Sequence, residues 1–219
     1  MRLPNDSERL VIVGRTGSGK TRAGMWHLSK RNFNKPWIIV DYKRDELIAQ
    51  SPAIEIGLQE RLPKKGGGLF VVRPTPTDDD ADAMEALMLN CWNRGNIGLY
   101  IDEGFMIPHA APYRAFNMIQ TQGRSLRVPI IQLSQRPVWL SRFAFSEADY
   151  FQLFDLNDVR DRKQVGSFMP PESQQRLPAY HSWFYSVKAD EIAVMKPVPS
   201  DDEILGGFNI KPKRRYFLA

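Results

Sequence analysis

Eight consecutive residues carry the most specific chemistry in the chain. GRTGSGKT, residues 14 to 21, has the pattern G-x-x-x-x-G-K-T. Gly14, Gly17 and Gly19 let the backbone curl so that successive N–H groups converge, and a helix beginning at Lys20 adds the partial positive charge of its N-terminus. That is a cradle for a chain of phosphates. Lys20 can reach the β- and γ-phosphates of ATP in such a cradle, and the Thr21 hydroxyl is an oxygen ligand suited to Mg²⁺. Arg15, Thr16 and Ser18 contribute backbone donors, and little follows from their side chains. From ordinary residue frequencies a chance match in a chain this long is on the order of one per cent, so the octet alone identifies a nucleotide-binding loop.

IGLYIDE, residues 97 to 103, supplies the second half. A buried strand ending in Asp102 delivers a carboxylate to the magnesium, through water. The adjacent Glu103 is placed to polarise a water in line with the γ-phosphate, which favours hydrolysis over binding alone.

The elements that must position these residues are legible as short apolar runs: 9 to 14, 36 to 41, 68 to 74, 97 to 103, 128 to 134 and 149 to 156. Near-continuous apolarity is the mark of strands covered on both faces. Helices are expected over 20 to 30, 79 to 93 and 112 to 122. Thr77 or Asp78 would cap the second, with carboxylates in its first turn. The fold class is therefore α/β, with a mostly parallel central sheet flanked by helices. Residues 60 to 68 and 170 to 178 read as loops, HSWFYSVKADEIAVMKP as a hairpin turning at Ala189 and Asp190, and Pro197 onward as irregular. One domain spanning 1 to 219 is expected, with a core over about 8 to 155 and a hairpin and basic tail over about 156 to 219.

Strand polarity then separates the charges of GRSLRVPIIQLSQRP, residues 123 to 137. Parallel strands end at one edge, where ligands bind. Gln135 therefore arrives beside the cradle, placed to sense the γ-phosphate and the attacking water. Arg124 comes before the strand, and about seven residues at roughly 3.3 Å each put it some 20 Å from its own phosphates. An arginine that stabilises phosphoryl transfer from there must act on a neighbouring subunit's nucleotide. Arg127 competes for that role, and Arg136, at the active edge, could touch phosphate, DNA or Glu103.

Composition narrows the classes. Thirty Lys and Arg against 25 Asp and Glu give +5, which permits an anionic partner. The single Cys91 and three scattered histidines, His27, His109 and His181, offer neither an internal disulfide nor a zinc-ligand spacing. No window approaches the roughly 20 apolar residues of a membrane span.

GRTGSGKT, IIVDYKRDEL, IGLYIDE and GRSLRVPIIQLSQRP together resemble the FtsK/HerA superfamily of hexameric nucleic-acid pumps, and within it the small genome-packaging ATPases of viruses with an internal membrane. The resemblance covers roughly residues 8 to 155. It implies a RecA-like P-loop NTPase, a homo-oligomeric ring with nucleotide at each subunit seam, and double-stranded DNA held in the pore without sequence readout. It also implies work at a virion vertex in the host cytoplasm, beside a capsid or portal protein. By that likeness Arg124 is the finger acting in trans and Gln135 the sensor. The D-x-K at Asp41 to Lys43 resembles an element of related ATPases without an assigned role. Lys64, Lys65, Arg114, Lys211, Lys213, Arg214 and Arg215 are the basic residues that could meet DNA phosphates. The rival readings are a Zot-like ATPase of phage assembly, a class that ordinarily brings a membrane span, and a P-loop NTPase that is no motor.

Overall fold

The computed structural model describes residues 1–60, 62, 66–75 and 78–210. Its strands are β1 (Leu10–Val13), β2 (Pro36–Asp41), β3 (Ile54–Glu55), β4 (Gly68–Val72), β5 (Gly98–Asp102), β6 (Ile130–Ser134), β7 (Tyr150–Leu153), β8 (Ser182–Ser186) and β9 (Glu191–Met195). Its helices are α1 (Lys20–Ser29), α2 (Glu46–Gln50), α3 (Asp78–Arg94), α4 (Ala115–Gln122), α5 (Arg142–Ser146), α6 (Val159–Gly166) and α7 (Asp201–Gly206).

The strands form one sheet in the order β3-β4-β2-β5-β6-β1-β7-β8-β9. The pairings from β3 to β7 are parallel, and β8 and β9 join antiparallel. Each expected apolar run holds a strand, shorter at one or both ends in every case but β2. The strands β1, β2, β5, β6 and β7 are buried at every residue. Side-chain alternation divides them between two faces. Leu10, Ile12, Trp37, Ile39, Tyr100, Ile131 and Leu133 join a core with α1 and α7. Ile38, Val40, Leu99, Ile101 and Ile130 join another with α3 and α4. Polar side chains on such strands would be buried between two layers of helix without partners, which is why the runs are so apolar.

The structure departs from these expectations in several elements, helices α2 and α5 among those not foreseen. The stretch after Pro197 is not irregular throughout, because it contains α7. Ser200 caps that helix by accepting from the Glu203 N–H at 3.4 Å, three carboxylates occupy its first turn, and Ile204 is wholly buried. S-D-D-E was the signal, a serine three residues before an acid. Helix α6 also went unread: Asp158 caps it, but only Asp161 and Val165 are buried, so its apolar period is almost empty. Strand β3 is two exposed residues at the sheet edge, with no apolar run to betray it. The helix expected from 112 begins at Ala115. Thr77, one of the two candidate caps of α3, lies outside the described residues.

One buried polar cluster links α1 to the antiparallel extension. His27 Nε2 lies 2.9 Å from Gln152 Oε1, and Gln152 Nε2 donates to Ser182 Oγ at 2.9 Å. The ring is stacked on Phe184 with centroids 5.7 Å apart. Burial lowers the His27 pKa from its usual 6.5 to about 3. Below pH 6.5 the unfolded chain takes up a proton that the folded chain refuses until about pH 3, so this group's contribution to stability falls as pH falls across that window. Chemical denaturation between pH 7 and 4 is expected to show His27→Phe losing a slope approaching about 1.4 kcal/mol per pH unit relative to the parent. An unchanged slope would mean another group controls acid sensitivity.

Candidate active site

The cradle forms where β1 gives way to α1. Its shape needs glycine for two different reasons. Gly17 and Gly19 have φ of 75° and 98°, in the left-handed region, whereas a Cβ at Gly14 would meet Phe154 Cβ at 2.6 Å and Ser18 Oγ at 2.7 Å. The loop is tied to both neighbouring strands. The Gly14 N–H donates to Ser134 O at 3.3 Å, and the Arg15 N–H donates to Asp155 O at 2.8 Å. Lys20 is 5% exposed and donates to Arg15 O at 3.0 Å. Burial pulls its pKa down to about 8, against the opposing pull of Glu103 and Asp102.

Because β6 is inserted between β1 and β5, the ends of three strands meet around the loop. Asp102, at the end of β5, has its Oδ1 3.4 Å from Thr21 Oγ1. Its Oδ2 is buried without a hydrogen-bond partner, and burial pushes its pKa up to about 7. An unsatisfied buried carboxylate oxygen beside a threonine hydroxyl is a fit for a hard cation with oxygen ligands. Glu103 is fully buried and adopts φ 68°, ψ 70°, unusual for a residue with a Cβ. Its Oε2 accepts from the Gln135 N–H at 3.1 Å, and its Oε1 accepts from Lys43 Nζ. The Gln135 side chain reaches the cradle, where its Oε1 accepts from Thr16 Oγ1.

The residues expected at the site by sequence thus converge: the loop from Gly14 to Thr21 with Asp102, Glu103 and Gln135. Two readings change. The Arg15 and Thr16 side chains are not idle, since Thr16 holds Gln135 and Arg15 pairs with Asp155 at 3.4 Å. Arg136 meets neither Glu103 nor the cradle; its guanidinium lies 3.1 Å from Asp161 and 3.4 Å from Asp158, and 4.7 Å above the Trp139 ring.

Arg124 lies at the opposite edge of the sheet, where β7 begins. It donates to Asp149 Oδ1 at 2.8 Å and to Glu147 O at 3.1 Å, and its side chain is 52% exposed. Arg127 follows with φ 58° and an N–H bonded to Arg124 O. Among the basic candidates for DNA, Arg114 is exposed just before α4, with its N–H on Glu85 Oε1 at 3.0 Å. Lys64, Lys65, Lys211, Lys213, Arg214 and Arg215 lie outside the described residues.

Lys43 is the site residue whose role sequence left open. Asp41 pairs in register with Asp102, so Lys43, two positions beyond Asp41, lies just past the same strand ends, and its ammonium reaches Glu103 from there. Asp41 itself turns away, accepting from Arg73 Nε at 3.2 Å and from the Asp45 N–H at 3.2 Å.

No protein-family model matches the chain. The DNA packaging ATPase P9 of Enterobacteria phage PRD1 is 43% identical over 230 aligned residues, covering 100% of this chain and 99% of that one. The genome packaging NTPase B204 of Sulfolobus turreted icosahedral virus 2, solved with ATP-gammaS, aligns over 90% of this chain and 100% of its own with a TM-score of 0.69 and 19% identity. The cytoplasmic domain of the type VII secretion ATPase EccC of Thermomonospora curvata aligns over 95% of this chain and 29% of its own, with a TM-score of 0.60 and 16% identity. At such identities the two solved structures speak for the fold.

Glu103 is fully buried, so removing its partner Lys43 leaves a buried charge uncompensated. Lys43→Met is therefore expected to lower ATP turnover at saturation about tenfold or more while KM moves less than about threefold, and Lys43→Arg to keep more of the rate. Steady-state kinetics checks this; full turnover in Lys43→Met would remove Lys43 from any positioning role.

Proposed function

The chain belongs to the family of the DNA packaging ATPase P9 of phage PRD1, and on that premise we propose that it hydrolyses ATP to drive double-stranded DNA into a viral capsid. The observation that carries the reading is the meeting of Lys20, Thr21, Asp102, Glu103 and Gln135 at the ends of three adjacent parallel strands. The cradle's N–H groups and Lys20 bind the triphosphate. Thr21, and Asp102 through water, would hold Mg²⁺, which supplies charge neutralisation on the phosphate oxygens when bound. Glu103 takes the proton of a water as its oxygen bonds to the γ-phosphorus. The bond from that phosphorus to the β–γ bridging oxygen breaks, and ADP and phosphate leave. Gln135, fixed by Thr16 and bound through its N–H to Glu103, orients the water against the γ-phosphate.

Arg124 serves the site of a neighbouring copy. It stands at the edge opposite its own cradle, and a guanidinium with five N–H donors, two of them engaged by Asp149 and Glu147, keeps donors for a phosphate arriving from outside. A ring is the closed arrangement in which every cradle receives such an arginine, and a hexamer is the form the resemblance implies. DNA in its pore is held through backbone phosphates, with Arg114, the Lys64–Lys65 pair and the basic cluster at Lys211, Lys213, Arg214 and Arg215 as contacts. The assembly works where the virion is built in the host cell, at a capsid vertex.

Two measurements test this reading. Double-stranded DNA of any sequence is expected to stimulate ATP turnover, with apparent DNA affinity falling steeply as salt rises. Arg124→Ala and Lys20→Ala subunits, each expected to lose about a hundredfold or more of the rate alone, should regain activity when mixed, because each supplies what the other lacks. Turnover indifferent to DNA and salt, together with no rescue on mixing, would rule out a pump with shared sites.

A further inference from the structure

Strand β6 is buried along its whole length, yet its third residue is a glutamine. Gln132 is 2% exposed and meets a second buried glutamine on α4: Gln120, 1% exposed, donates from Nε2 to Gln132 Oε1 at 3.0 Å. The other polar atoms of the two amides, Gln120 Oε1 and Gln132 Nε2, are buried without a hydrogen-bond partner. Gln152 on β7 makes the contrast, because both ends of its amide are engaged, by His27 and by Ser182. A half-satisfied pair is a poor filling for a core: each orphaned atom keeps its desolvation cost, and methionine or leucine would occupy similar space without it. Packing alone does not account for the two amides.

The Gln132 amide lies against the turn that carries Glu103. A Cβ built at Gly104 would meet Gln132 Nε2 at 2.1 Å, its Cγ at 2.5 Å and its Cδ at 2.7 Å. Gly104 is outside the left-handed region, so the approach of Gln132, and not the backbone, demands a glycine there. One residue earlier, Glu103 is held at φ 68° and ψ 70°. A residue with a Cβ stays in that region only where its surroundings over-determine it. Lys43 and the Gln135 N–H restrain the carboxylate, at the far end of a flexible side chain. The backbone is restrained separately: the Met106 N–H closes the turn on Glu103 O at 3.0 Å, and Gln132 stands against Gly104.

That support is anchored in turn. Arg9, 4% exposed, donates to the carbonyls of Ile119, at 2.9 Å, and of Gln120, near the C-terminal end of α4 where the helix dipole favours a cation. Gln120 thus projects from a tethered helix end, and its Nε2 sets the plane of the Gln132 amide. We propose that Gln132, seated by Gln120, is a positioning residue for hydrolysis: it holds the Glu103–Gly104 turn so that the Glu103 carboxylate meets the attacking water. This rests on the reading of Glu103 as the general base.

The double variant Gln120→Met/Gln132→Met removes both amides at nearly constant volume. Its kcat is expected to fall about tenfold or more, with KM and the affinity for a non-hydrolysable ATP analogue within about threefold of the parent. Its thermal midpoint should not drop, because no polar atom is left orphaned. Gly104→Ala approaches the same turn from the other side, its methyl displacing the Gln132 amide, and should lose kcat with analogue affinity kept. Parent kcat in both variants would overturn the proposal. So would a fall in kcat accompanied by a lowered midpoint and weakened analogue binding, the pattern of a residue that only fills the core. Single-turnover rates on a Glu103→Gln background locate the effect: amides acting through Glu103 should cost less than about twofold there, and the same fold-loss on both backgrounds would overturn the proposal. Full turnover in Glu103→Gln itself would remove the base reading and the proposal with it, whereas an impaired Glu103→Gln beside unimpaired amide variants would remove the proposal alone.

Discussion

The parallel pairing of β6 between β1 and β5 is the constraint on which the site depends. Leu10 to Val13 register with Ile131 to Ser134, and Leu99 to Ile101 with Ile130 to Gln132. Those registers fix how far each strand projects toward the ligand edge. Ser134 accepts from the cradle's Gly14 N–H, and the next residue, Gln135, presents its backbone N–H to Glu103 and its side chain to Thr16. Shifting β6 by one residue would exchange its buried faces and unmake all three contacts.

That geometry concentrates ionisable groups where water is excluded. Lys20, Asp102 and Glu103 are all nearly or fully buried, and Lys43 is the fourth member, half-buried against Glu103. Burial acts in opposite senses on the two kinds of charge, lowering Lys20 and raising Asp102. Such a cluster is expensive for stability and useful for phosphoryl transfer, because fixed charges in a low dielectric act on developing charge without reorganising first. Within the chain Lys20 donates to Arg15 O and Glu103 is held by Lys43 and the Gln135 N–H, while Asp102 Oδ2 stays without a hydrogen-bond partner. A bound triphosphate would supply the anion that the Arg15 carbonyl imitates.

How far the sequence could be read follows from how local each signal is. The cradle, Asp102 and Glu103 sit in contiguous motifs attached to buried strands, so their place together at one edge of the sheet was legible. The six apolar runs predicted strands because burial on both faces leaves nothing for a polar residue to do. Gln135 and Arg124 followed from polarity alone, as opposite ends of one strand. Lys43 was visible as part of D-x-K, but its partner depends on the register of β2 against β5, which no single segment encodes. α6 and β3 were missed because their exposed surfaces lack apolar pattern, whereas α7 carried a cap that the surrounding prolines obscured.

The most direct test of the account is single-turnover hydrolysis by Glu103→Gln with ATP, Mg²⁺ and double-stranded DNA. The substitution preserves shape, removes the ability to accept a proton and neutralises the partner of Lys43. ATP is expected to bind within about threefold of the parent affinity while the chemical step slows by about 10²-fold or more, the scale of a general base. Hydrolysis within about twofold of the parent rate would contradict it, leaving Glu103 a structural partner of Lys43 and the base of the reaction elsewhere.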